Sequence, residues 1–312
     1  MMTYQRCTGR IAGALLAVAV GAALAFPAHA SLIAYDSFSY AAGTPISGQG
    51  TNANWPTTGQ KWTQGTNHAS METPGSDFNY HGLAHAGNVL DFVGGYAPVF
   101  RQFGATYNTA NNIYWFSVVM DVDKNPAGAY AGLSLFNTAN TSHPEQFFIG
   151  QDNLNTNWSM ELSAITRRGV SGVAITPEHA VLLVVELNGK TDTASLFVNP
   201  TPIGGSPPAT PSATFSIAGY DFSFNEIRIG AGAPQTMDAD EFRFGTTFAD
   251  VTPTDTPAPA SWMTFCFALV ALAFGRGRFL RNDSRMKVAS ASTIPVRWQV
   301  LSSKPCSVAQ IL

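Results

Sequence analysis

The sequence predicts an all-β fold, a sandwich or jelly roll of two antiparallel sheets, on three observations. Short runs of β-branched and aromatic residues recur through the middle of the chain. Gly, Pro, Asn and Thr break them at short intervals, and helical periodicity is confined to stretches as short as Pro177–Ala180. Many brief strands with frequent turn signals are the pattern of a two-sheet β protein.

Ile113–Met120 is a nearly continuous apolar run, as expected of a strand buried on both faces. Ala131–Phe136 and Gln146–Ile149 are further short strands. The strongest local signal is Val181–Leu187, then Asn188-Gly189, then Thr191–Val198. Asn-Gly predicts a type I′ hairpin turn, which needs positive φ angles. The Pro- and Gly-rich stretch Asn199–Pro211 reads as a loop between strands. Glu226–Ile229 and Glu241–Phe244 alternate strictly. Ile227, Ile229, Phe242 and Phe244 are expected in the core, with Glu226, Arg228, Glu241 and Arg243 outside.

The two ends read differently. Met1–Ala30 carries Arg6 and Arg10, an apolar run Ile11–Phe26, and then Ala28-His29-Ala30. That order predicts a secretory signal peptide over 1–30, with Ala28 and Ala30 as the small residues of the cleavage site. Cys7 lies before the apolar run and in no lipobox. A Pro-rich linker is expected over 253–261 and a membrane or sorting segment over 262–281. The apolar run Trp262–Phe274 is followed by Arg276, Arg278 and Arg281, which favour a cytoplasmic tail. A span needs roughly 20 residues, so this one is only just long enough when its weak start is counted. The tail 282–312 has no periodicity.

Between these ends the predicted sandwich occupies 31–252. Ser31–Pro257 holds 8 basic and 19 acidic residues, a net charge of −11 that the basic ends hide in the whole-chain value of −3. With no cationic patch to displace phosphate counterions, nucleic acid is excluded as a partner. The three cysteines, Cys7, Cys266 and Cys306, all fall outside the sandwich, which is long enough to bury a core without disulfides.

The ordered series of segments resembles bacterial exported proteins with a concanavalin A-like, LamG-like jelly roll and a PEP-CTERM sorting tail. The matching pieces are Tyr35–Tyr40 with Gly43-Thr44, the pair Trp55 and Trp62, Tyr80–Ala84, Tyr114–Ser117, Ala131–Phe136, Phe148–Gly150, Ser195–Pro200 and Asp240–Val251. They cover almost all of 31–252. His81 replaces a usual proline. At the tail, Pro257-Ala258-Pro259 lacks the glutamate of Pro-Glu-Pro, and the chain runs on past the arginines, so processing by an exosortase-type enzyme departs from the family pattern. The resemblance implies a protein that is exported, held in the inner membrane as a precursor by its C-terminal helix, and then displayed at the cell surface or in the extracellular matrix.

Residue patterns for chemistry are sparse. Retaining glycoside hydrolysis needs two carboxyl groups about 5 Å apart. Asp238-Ala239-Asp240-Glu241 is the nearest approach to the Glu-x-Asp-x-x-Glu of laminarinase-type enzymes, and it lacks both glutamates. No Gly-x-Ser-x-Gly elbow is present, and His81 and His85 flank a loop glycine rather than a helical face. Asp121, Asp123 and Asn125 alternate oxygen ligands as a calcium loop does, but Pro126 and Gly132 replace its turn glycine and final glutamate. Calcium there is the one metal the sequence suggests, and no other cofactor is expected. Trp55, Trp62 and Trp158 sit among polar residues and are candidates for sugar stacking, with core packing as the alternative. The leading expectation is a non-enzymatic surface or matrix protein. The alternatives are a carbohydrate-binding, lectin-like module that takes extracellular polysaccharide, and a divergent glycoside hydrolase.

Overall fold

The computed structural model describes 32–254, apart from 51–53, 65–70, 73–77, 79, 81, 93–97, 124–127, 143 and 166. The chain divides into two units, 1–256 and 257–312, and everything described lies in the first. The signal-peptide reading with Ala28 and Ala30, and the 262–281 segment with Arg276, Arg278 and Arg281, therefore lie outside the described residues. Among those residues no helix is long and apolar enough to cross a membrane.

The described strands begin with β1 Leu32–Asp36, β2 Thr63–Gln64, β3 Met71–Glu72, β4 Leu90–Phe92 and β5 Val99–Asn108. Next come β6 Ile113–Val122, β7 Ala131–Phe136, β8 Glu145–Gln151, β9 Asn157–Leu162 and β10 Arg167–Ala174. The last five are β11 Val181–Asn188, β12 Thr193–Val198, β13 Ala213–Ser216, β14 Ser223–Ala231 and β15 Met237–Gly245, followed by a one-turn helix, Phe248–Val251. Two antiparallel sheets result. The first runs β13-β12-β11-β6-β15-β4-β3, with β1 also paired to β15; the second runs β10-β9-β8-β7-β14-β5-β2. Consecutive strands cross between sheets at β1–β2, β2–β3, β4–β5, β5–β6, β6–β7, β10–β11, β13–β14 and β14–β15, so each sheet is woven from distant segments.

The core lies between the sheets because alternate residues of each strand point inward. Phe116 on β6 stacks on Phe244 of β15 at 4.6 Å, and Phe103, Tyr107 and Phe224 of the second sheet close round the pair. The continuous apolar run of β6 has a second cause. Its outward residues Trp115 and Val119 are buried beneath Tyr80, Leu83, Phe248 and Val251. The helix that supplies Phe248 and Val251 is fixed by a capping box between Thr247 and Asp250. Among the described residues, the outer face of the first sheet is thus largely roofed, while that of the second is not.

The expected faces of β14 and β15 are observed, since Ile227, Ile229, Phe242 and Phe244 are fully buried. Glu241 and Arg243 do point away from the core, yet both are buried as well. They bind each other, Glu241 accepts a 2.7 Å bond from the Ala86 amide, and Arg243 donates to the Ala84 carbonyl. The segment over them satisfies what water would otherwise.

One turn departs from expectation. β11 ends at Asn188 and pairs with Thr193, leaving four residues, Gly189–Asp192, in the connection. The positive φ belongs to Asp192 (54°), not to Gly189. Gly189 is required for another reason: a Cβ there would lie 1.8 Å from the Thr109 carbonyl oxygen.

Candidate functional site

The outer face of the second sheet carries a trough built from side chains of several strands. Its register aligns one residue from each of six strands: Phe100, Arg228, Ser134, Phe148, Glu161 and Arg168. Their side chains share a face because directly opposed residues of antiparallel strands do. An irregularity between Leu135 and Phe136 makes Gln146 an extra residue in β8, so that Glu145 stands opposite Phe136 on the same outer face. The neighbouring row is Gly230, Gly132 and Gly150. A side chain at Gly132 would strike the Phe148 ring, at 2.7 Å from the Cβ position. It would also lie 2.3 Å from the Ile149 carbonyl oxygen, so the glycine leaves room for both the ring and the neighbouring strand.

The result is a trough of about 420 Å³ lined by Tyr130, Glu145, Phe148, Asp152, Asn153, Glu161, Ser163 and Arg228. Its charges form two groups. Arg228 donates to Glu145 at 2.7 Å and to the buried Ser134 hydroxyl at 2.9 Å, with its guanidinium 5.3 Å from the centre of the Tyr130 ring. Across the trough Arg168 pairs with Glu161 at 2.7 Å and Asp152 at 2.9 Å. Asp152 also accepts bonds from Ser159, Asn155 and the Leu154 amide, which ties the β8–β9 loop to the trough wall. Planar charged groups held rigid by one another, beside Tyr130 and Phe148, can present fixed donors and acceptors to a polyhydroxylated ligand with a ring for its apolar face.

The sequence-predicted residues fall elsewhere. Trp55, Trp62 and Trp158 are buried at 5%, 0% and 1% exposure, which rules them out as a stacking platform. Trp62 donates its indole N–H to Asp36, and Trp55 lies 3.7 Å from the Arg101 guanidinium, so these rings point inward to buried partners distant in sequence while flanking polar residues such as Asn54, Lys61 and Thr63 face solvent. Asp121, next to last in β6, is buried, Asp123 lies just past the end of the strand, and Asn125 lies outside the described residues. Among the described residues no three His, Cys, Asp or Glu side chains are grouped to hold a metal ion. Asp238 and Asp240 share the outer face of the first sheet, as expected. Asp240 is fully buried, and its carboxylate accepts from the Phe78 and Glu241 amides. Of the histidines, His179 is exposed, His85 is half-buried, and His29, His68, His81 and His143 are outside the described residues.

Of the trough residues, the sequence pattern marked only Arg228 as outward-facing. Glu161 carried a weak signal in the alternation of Trp158, Met160 and Leu162 with Ser159 and Glu161. Glu145 carried none, because a bulge sets its direction.

No family model matches the chain, and no curated protein matches it. Solved structures similar to it include domain 4 of an extracellular GH43 arabinanase from Geobacillus stearothermophilus, in complex with arabinotriose. That pair shows 11% identity and a TM-score of 0.47, over 72% of this chain and 98% of that one. The globular domain of T. cruzi calreticulin gives 9% and 0.44, over 61% and 85%. A glycosyl hydrolase family 16 protein from Mycobacterium smegmatis gives 14% and 0.37, over 69% and 100%. Nothing about chemistry passes from them to this chain.

Proposed function

We propose that this chain is an exported, non-enzymatic surface or matrix protein with a concanavalin A-like, LamG-like jelly roll, and that its open sheet binds polysaccharide in the Tyr130–Arg228 trough. The trough itself carries this reading: an unroofed, rigid, polar groove with aromatic rings, on a sandwich whose other outer face is largely roofed. Glu145 and Glu161 are both engaged by arginines, an arrangement suited to holding hydroxyl groups and not to a free nucleophile facing a free acid. Export is supported by the Met1–Ala30 pattern, and membrane retention of a precursor by Trp262–Phe274 with Arg276, Arg278 and Arg281.

Binding is tested by probing an array of polysaccharides with the exported protein. Tyr130→Ala and Glu161→Gln are each expected to weaken binding about tenfold or more, the loss of roughly 1.4 kcal/mol. Binding that both variants leave intact would place the ligand elsewhere, and an array with no bound glycan would remove the carbohydrate reading. Export is tested separately: N-terminal sequencing of the secreted protein should begin at Ser31, and recovery of Met1 or Met2 there would reject it.

A further inference from the structure

The charges of the Tyr130–Arg228 trough do not balance, and the imbalance bears on what kind of sugar fits it. Three carboxylates, Glu145, Asp152 and Glu161, meet two guanidiniums, Arg228 and Arg168. Both cations are already committed. Arg168 pairs with Asp152 at 2.9 Å and with Glu161 at 2.7 Å. Arg228 gives one terminal nitrogen to Glu145 and the Ser134 hydroxyl, and its guanidinium lies 5.3 and 5.0 Å from the centres of the Tyr130 and Phe136 rings. Its Nε is buried without a hydrogen-bond partner, out of a ligand's reach.

The carboxylates are not equally occupied. Asp152 is buried and accepts from Ser159, Asn155 and the Leu154 amide besides pairing with Arg168, which fills it. Glu145 and Glu161 differ. Arg228 engages one oxygen of Glu145 and Arg168 one oxygen of Glu161, and the two side chains are 30% and 18% exposed. A carboxylate offers about four lone-pair sites, so both keep acceptor capacity for a ligand in the trough they line.

We propose that the trough selects polysaccharides bearing free amino groups, of the deacetylated hexosamine class, over neutral and anionic ones. This rests on the reading of the trough as a polysaccharide site. An ammonium group makes charge-assisted bonds to Glu145 or Glu161 without displacing either arginine. A uronate or sulfated sugar meets no guanidinium free of a carboxylate among the described trough residues, and its own charge faces a surplus of like charge. The wider field has the same sign, since Ser31–Pro257 holds 8 basic and 19 acidic residues. Neutral groups complete the site. Ser163 and Asn153 line it beside Tyr130 and Phe148, as partners for hydroxyl groups and rings for the body of the sugar.

Titration calorimetry on the full chain tests this with three oligomers of equal length: β-linked glucosamine, its fully N-acetylated counterpart and a uronate. At low salt the glucosamine oligomer should bind about tenfold or more tighter than the N-acetylated one, with the gap narrowing as salt rises and the uronate weakest. Glu145→Gln and Glu161→Gln should each shrink that gap about threefold or more, so either variant suffices if the other does not fold. Oligolysine of equal charge should bind about tenfold more weakly than glucosamine, because it brings no sugar ring to Tyr130 and Phe148. Equal affinity for the two hexosamine oligomers, tightest binding of the uronate, or oligolysine matching glucosamine would overturn the proposal. So would a gap that both variants leave intact, which would trace to the overall acidity of the chain. A neutral glycan whose binding Tyr130→Ala abolishes, with glucosamine ignored, would keep the trough as a polysaccharide site and remove only the amine preference.

Discussion

Replacing Asp36 with Asn is expected to cost about 3–5 kcal/mol of stability, the usual cost of breaking a buried ion pair from one side. Asp36 and Arg101 are an ion pair with both side chains at 0% exposure. One carboxylate oxygen accepts from Arg101, from Trp62 at 2.8 Å and from Tyr40 at 2.6 Å; the other accepts from the Phe38 amide at 2.9 Å. Arg101 in turn donates to the Gly50 and Gln60 carbonyls and lies against Trp55. With Asn at 36 the guanidinium keeps its charge in the interior and loses its counter-charge. For a sandwich of this size each kcal/mol is worth roughly 2–4 °C, so the melting temperature should drop on the order of 10 °C. The double variant Asp36→Leu with Arg101→Met should recover part of the loss, because it removes the stranded charge as well as the pair. A melting temperature within about 2 °C of the unmutated protein for Asp36→Asn would show that the network is not under this electrostatic control.

That network shows where sequence reading reaches and where it stops. The segment Tyr35–Tyr40 and the Trp55–Trp62 pair were identifiable as matching pieces, but their purpose was not. The oxygen that joins Tyr40, Trp62 and Arg101 draws on positions up to 65 residues apart. Strands with a single strong pattern were legible for a physical reason. β6 is apolar on both faces because a helix and a loop roof it, and β14 and β15 alternate because each has one core face. β5 and β10 were not legible. β5 turns Arg101 inward and carries Gly104, while β10 is an edge strand with exposed Val170 and Val173 and two glycines. Neither keeps a clean period.

The candidate site was less legible than the fold. Its residues come from β7, β8, β9, β10 and β14 and meet only through register, and Glu145 joins them through a one-residue bulge that no local pattern announces. The tryptophans misled because their polar neighbours in sequence face solvent while the rings themselves turn inward, toward Asp36 and Arg101. The aspartates of the first sheet were read correctly as sharing a face, but Asp91 and Asp121 came beside Asp238 only once β4, β15 and β6 were paired.

The second large effect concerns Gly189, and it separates two explanations of one glycine. A type I′ turn would need glycine for positive φ, and asparagine, which tolerates that conformation, would then serve nearly as well. The structure gives a different cause. The Thr109 carbonyl accepts from the Asn112 amide at 3.0 Å, and Gly189 donates to the Asn112 carbonyl at 2.8 Å, so the β11–β12 connection is packed on the β5–β6 turn. A Cβ at 189 would sit 1.8 Å from the Thr109 oxygen and 2.8 Å from its carbon, both backbone atoms that cannot rotate aside. Thr109 cannot retreat easily, since it is fully buried and its amide donates to the Phe222 carbonyl. Gly189→Ala should therefore cost about 3 kcal/mol, at the upper end of overpacking losses, and Gly189→Asn at least as much. The contrast lies three residues on. Asp192 holds the positive φ of the connection, and Asp192→Gly should be neutral or stabilise by up to about 1 kcal/mol. Denaturant melts of the three variants decide the matter: an asparagine at 189 as stable as glycine would restore the turn explanation and remove the packing one.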